Sequence, residues 1–118
     1  MATWQPFEDG HTIGRTGNEG GSILQDEEHL AGARITLEKD TTLAPYAITC
    51  GVYGWMVHTR FLADEETAEH AYAEMRRALV DILAHLLADN ETADADDDDD
   101  QKLEAMNAAI EAFQKQFP

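Results

Sequence analysis

Cys50 and His58 stand in the stretch YAITCGVYGWMVHTRF, residues 46–61, and cysteine with histidine is a pairing that can make a nucleophilic thiolate. That chemistry needs the imidazole within about 3 Å of the sulfur and a thiol pKa lowered by its surroundings. Side-chain periodicity argues against it here. Tyr46, Ile48 and Cys50 mark even positions as apolar, Trp55, Val57 and Phe61 mark odd ones, and the switch falls between Gly51 and Gly54. A turn centred on Val52 and Tyr53 would set Cys50 opposite Trp55, Ile48 opposite Val57 and Tyr46 opposite Thr59 on one buried face. His58 then points to the other face with Arg60, and Cys50 is read as a small buried hydrophobe. Val-Tyr is poor chemistry for a two-residue turn, so a longer loop or a glycine-assisted bulge in one bent strand is the alternative.

The remaining histidines are His11, His29, His70 and His85. Glu66, His70 and Glu74 follow at steps of four, as do Asp81 and His85, which lines each group along one side of a helix. No His-Glu-x-x-His motif accompanies them, so surface ion pairs are preferred to metal ligation. Asp94, Asp96 and Asp98 have the first spacings of an EF-hand loop. From Asp94, however, Asp99 stands where glycine is needed and Ala105 where glutamate is needed; from Asp96 the same positions hold Gln101 and Asn107. The glycines of GNEGG precede no helix, and no phosphate-binding loop or nucleophile elbow is present. No catalytic residue, cofactor or metal is therefore expected. What is left is a ligand-binding candidate on the open side of the sheet. Arg34, His58 and Arg60 would contact a carboxylate or phosphate, with Tyr53 and Trp55 as a wall. Pairing of these cations with Glu38 and neighbouring acids is the preferred reading.

A sheet and two helices must position these residues. Residues 1–20 read as an irregular segment anchored by Trp4, Phe7 and Ile13. Residues 21–62 read as an antiparallel sheet of three to four strands: GSILQDE is a weak strand, ARITLEK a clear one by its alternation, and EHLAG closes the hairpin between them. Residues 64–88 form an amphipathic helix with Asp64 as N-cap, and Ala68, Tyr72, Met75, Leu79, Ile82 and Leu86 along its apolar stripe. Val80, Leu83 and Leu87 widen that stripe. An acidic loop over 89–100 leads to a second helix over 101–117, with Leu103, Met106, Ile110, Phe113 and Phe117 at helical spacing. Strands followed by helices indicate an α+β domain, residues 1–118, with both helices on one face of the sheet.

Composition narrows the function. The 118 residues are 43% apolar and carry a net charge of −16, of which −4 falls in residues 1–62 and −12 in residues 63–118. Such a field repels nucleic acid and anionic membrane surfaces and attracts basic proteins. One cysteine allows no intrachain disulfide and no four-cysteine zinc site. With no long apolar run and no basic, apolar leader, the expected location is the cytoplasm. The leading expectation is a protein-interaction domain of adaptor, inhibitor or immunity type that binds a basic partner. The alternatives are an anionic-ligand-binding or enzymatic domain on the open face around His58 and Arg60, and a homodimer through that same face.

Overall fold

The computed structural model describes residues 4–91 and 99–118, with the backbone alone for 85–91 and 99–103. Five strands, β1 (Trp4–Pro6), β2 (Ser22–His29), β3 (Ala33–Lys39), β4 (Tyr46–Val52) and β5 (Met56–Leu62), precede two helices, α1 (Glu65–Glu91) and α2 (Asp99–Gln116). Each strand pairs antiparallel with its neighbours in chain order, giving one sheet β1-β2-β3-β4-β5. The fold is thus α+β, with five strands where three to four were expected.

The additional strand is β1, in the segment read as irregular. Three residues are too few to show a two-residue period; Trp4 is placed by pairing with His29 and by an edge-to-face ring contact at 5.0 Å. Strand β2 reads weakly for a different reason. Its register slips between Ile23 and Gln25, and its acids turn to both faces of the sheet because both faces offer partners.

Ala33, Ile35 and Leu37 of β3 and Ile48, Cys50 and Val52 of β4 are buried in one cluster with Ala68, Tyr72, Met75, Leu79, Ile82 and Leu83 of α1. Met106, Ile110 and Phe113 of α2, with Phe117 just beyond it, complete that core. Thus α1 buries its stripe against β3, β4 and β5, and α2 packs on α1. Val80 stays largely exposed, so the stripe is narrower at that turn than its sequence suggests. The start of α1 is fixed as expected, the Asp64 carboxylate accepting the Thr67 backbone N–H at 2.8 Å. That bond holds the Asp64 carboxyl below its ordinary range. The side chains of His85, Leu86, Leu87 and Leu103 and the aspartates Asp94, Asp96 and Asp98 lie outside the described residues. Among the described residues no helix is long and apolar enough to cross a membrane.

Candidate functional site

The β4–β5 hairpin turns through three residues, Tyr53 to Trp55, with Gly54 in the left-handed region at φ 80°. Val52 is buried and pairs with Met56, so it closes the hairpin and is not part of the turn. Relative to a turn centred on Val52 and Tyr53, the partner of every β4 residue moves by three positions, and an odd shift exchanges the faces of β5. Cys50 therefore stands directly across from His58, and Ile48 across from Arg60. The expectation that His58 and Arg60 share the open face with Arg34 is corrected: they share a face with Cys50, and Val57, Thr59 and Phe61 take the open one.

Juxtaposition does not make Cys50 reactive. It is 2% exposed, and burial pushes its thiol pKa up to about 12, so it is a neutral thiol at physiological pH. The His58 imidazole is engaged elsewhere: its Nε2 hydrogen-bonds the Phe117 carbonyl oxygen, and its ring meets Phe113 edge-on at 5.9 Å. The Arg60 guanidinium lies 5.6 Å from the centre of the Phe117 ring. These two side chains hold the end of α2, and neither faces Arg34.

On the opposite face Arg34 is already matched. Its Nε and Nη2 donate to the two Asp26 oxygens at 2.9 and 2.7 Å, and its guanidinium stacks 3.6 Å from the centre of the Phe7 ring. The Thr12 and Thr36 hydroxyls donate to the same carboxylate at 2.8 and 3.0 Å. Four donors leave Asp26 compensated, and its bonds raise the Arg34 pKa above its ordinary value. The partner of Arg34 is thus Asp26 and not Glu38. Glu38, fully buried, accepts the backbone N–H groups of Glu19 and Gly21, each at 3.1 Å. A Cβ on Gly17 would fall 2.4 Å from the Glu38 carboxyl carbon, so only glycine lets the chain close over it. The GNEGG stretch is an anion cradle of the kind used for phosphates, filled here by a carboxylate of the chain itself.

The N-terminal segment covers only the β2–β3 side of this face. Beyond it, rows run across β3, β4 and β5: Arg34, Gly51 and Val57 in one, Thr36, Thr49 and Thr59 in the next. Small residues on β4 leave a groove of about 560 Å³ between Asn18 of the loop and Tyr53, Trp55 and Val57. That volume lies in the range of ligand sites. A smaller hollow of about 230 Å³ continues under the loop and shares Asn18, Arg34, Thr36 and Thr49 with it. The Tyr53 hydroxyl donates to Glu28 at 2.6 Å, and burial, with the Glu28 carboxylate, pushes that phenol up to about 12. Tyr53 is therefore a fixed neutral donor. Of the five residues proposed from sequence, Arg34, Tyr53 and Trp55 meet in the groove; His58 and Arg60 do not. Asn18, Thr49, Gly51 and Val57 were missed. The alternation of small residues at Ala47, Thr49 and Gly51 was the available signal for a trough.

On the helix side, Glu27 accepts from the Tyr72 hydroxyl at 2.7 Å and from Arg76 Nη2 at 3.2 Å, and the His70 Nε2 meets the Glu74 carboxylate at the surface. Among the described residues no group of three histidine, cysteine or acidic side chains is placed to hold a metal ion. Compared with known proteins, the chain matches no family model, no curated protein and no solved structure.

Proposed function

We propose that this protein is a binding domain of adaptor, inhibitor or immunity type whose partner presents a basic surface. The observation that carries the reading is a division of the carboxylates. Asp26 and Glu38, which the fold uses, are buried and fully engaged, whereas Glu65, Glu66, Glu69 and Asp81 stand exposed along α1. With a net charge of −16, that outward surplus accelerates encounter with cationic surfaces and disfavours anionic ones. A binding role is preferred to catalysis because Cys50 is a buried neutral thiol and the Arg34 charge is matched by Asp26. The reading places both helices over the face that carries Ile35 and Cys50, which leaves the groove face for contact. It also takes the cytoplasm as the compartment, where a single free cysteine stays reduced.

The test is capture on immobilised protein from an extract of the cells that express it, with elution by a salt gradient. Recovered proteins should be enriched in high isoelectric points and released by moderate salt. A recovered set no more basic than the extract, or one that salt does not release, overturns the reading.

A further inference from the structure

We infer that the groove between the loop at Asn18 and the β4–β5 turn seats an extended segment of that partner, bearing one bulky uncharged side chain between basic neighbours. This rests on the basic-partner reading, and it adds a place and a chemistry. Trp55 is 37% and Val57 76% exposed, both line the groove, and together they offer an apolar wall. Gly51, in the row between Arg34 and Val57, leaves the floor open where any side chain would stand. Its backbone carbon faces Met56 O and Val57 so closely that a Cβ would lie 2.9 Å from that oxygen.

The polar wall selects against a free anion. Arg34 is held by the Phe7 ring and by two bonds to Asp26, and Nη1 takes no part in that pairing. A guanidinium so neutralised is a preorganised donor for an uncharged acceptor such as a peptide carbonyl. Thr49 and Asn18 add short polar groups beside it. The groove thus fits a backbone carbonyl plus an apolar side chain, which is the repeat of an extended peptide. Charge complementarity sets the flanks: Glu28 stands at the turn, and the whole chain is strongly negative, so neighbours of the seated residue are lysine or arginine.

The test titrates the ¹⁵N-labelled protein with the blocked peptide acetyl-Lys-Lys-Phe-Lys-Lys-amide and with its counterpart carrying serine for every lysine. Amide shifts should concentrate at Asn18, Thr49 and Gly51 and at the Trp55 indole, with the lysine peptide bound more tightly and weakened by salt. Trp55→Ala and Val57→Lys alter exposed side chains, so circular dichroism should be unchanged while affinity falls at least tenfold, the loss usual for a central aromatic anchor. Shifts confined to α1, with both variants binding normally, overturn the groove and leave the basic-partner reading standing. Equal binding of the serine peptide without salt dependence overturns the basic flanks and the partner reading with them. Failure of both peptides to bind at millimolar concentration overturns the seat itself. A dimer in sedimentation that Val57→Lys dissolves does so too, by assigning the groove to a second copy.

Discussion

On the face that carries Ile35, Ile48 and Cys50 the sheet is closed by aliphatic and aromatic side chains, whereas on the face that carries Asp26, Thr36 and Glu38 the N-terminal segment closes it with hydrogen bonds. The two closures obey different rules. Apolar packing is nondirectional and accepts side chains of similar volume, while a buried carboxylate needs each donor at a fixed place. The second face is therefore the more specific and the less forgiving, and the N-terminal segment leaves its half over β4 and β5 open.

The sharpest way to break this contrast is to remove one buried acid. Asp26→Ala leaves the buried Thr12 and Thr36 hydroxyls and the partly exposed Arg34 without their common acceptor, and at about 1–3 kcal/mol for each orphaned buried group the loss is expected to reach about 3–5 kcal/mol. Leu79→Ala, in the apolar core, is expected to cost about 2–5 kcal/mol. The two separate on conservative replacement: Leu79→Met should recover most of the stability in urea unfolding, and Asp26→Leu none of it. An Asp26→Ala cost under about 1 kcal/mol would mean that the polar closure contributes little.

A smaller effect is expected at the cradle. Gly17→Ala drives a methyl group onto the Glu38 carboxyl, an overpacking worth about 1–3 kcal/mol. Because the clash is with that side chain, shortening it in Glu38→Asp should make the double variant more stable than the two single costs predict. Additive costs would place the strain in the loop backbone instead.

The contrast also explains what could be read in advance. The helices, the Asp64 cap and β3 were legible because one apolar face against one polar face writes a clear period. β2 was faint because it is covered on both sides and uses charged residues for the second covering. The register of β5 was misread at a turn: the pattern located the phase change correctly, but a loop of three residues in place of two reverses every β5 side chain. That one residue decided whether His58 and Arg60 joined Arg34. The groove was half legible: the pattern names Tyr53 and Trp55 as a wall beside the turn but sets Trp55 on the buried face with Cys50, whereas it is 37% exposed in the groove, and Gly51 and Thr49 matter by being small. Nothing local in the sequence says that GNEGG wraps Glu38, about twenty residues further on.

Cys50 tests the apolar closure more gently. As a small hydrophobe it should lose only about 1 kcal/mol on replacement by alanine. With its pKa pushed up to about 12, it should react with a thiol reagent at neutral pH no faster than the chain opens. Labelling should accelerate in urea in step with unfolding. Rapid stoichiometric labelling of the native protein would show the Cys50–His58 juxtaposition to be reactive after all.

The smallest effect expected is a pH dependence where the two closures meet, at His29. Its Nδ1 accepts the Ala31 N–H at 3.0 Å, its ring packs edge-on against Trp4, and burial, followed by the nearby Arg76 charge, lowers its pKa below the ordinary 6.5. Between that lowered value and 6.5 the unfolded chain binds more protons than the folded one, so stability rises with pH through the window. The contribution is complete above 6.5 and is lost as pH falls through the folded value. Asp64 also loses stability on acidification, but only below the ordinary carboxylate value of 3.8, so the two windows do not overlap at mildly acid pH. His29→Gln keeps an acceptor near Ala31 and removes the titration. Urea midpoints measured from pH 7 down to pH 5 should fall for the native sequence and fall less for His29→Gln; parallel curves would assign the acid sensitivity to another group.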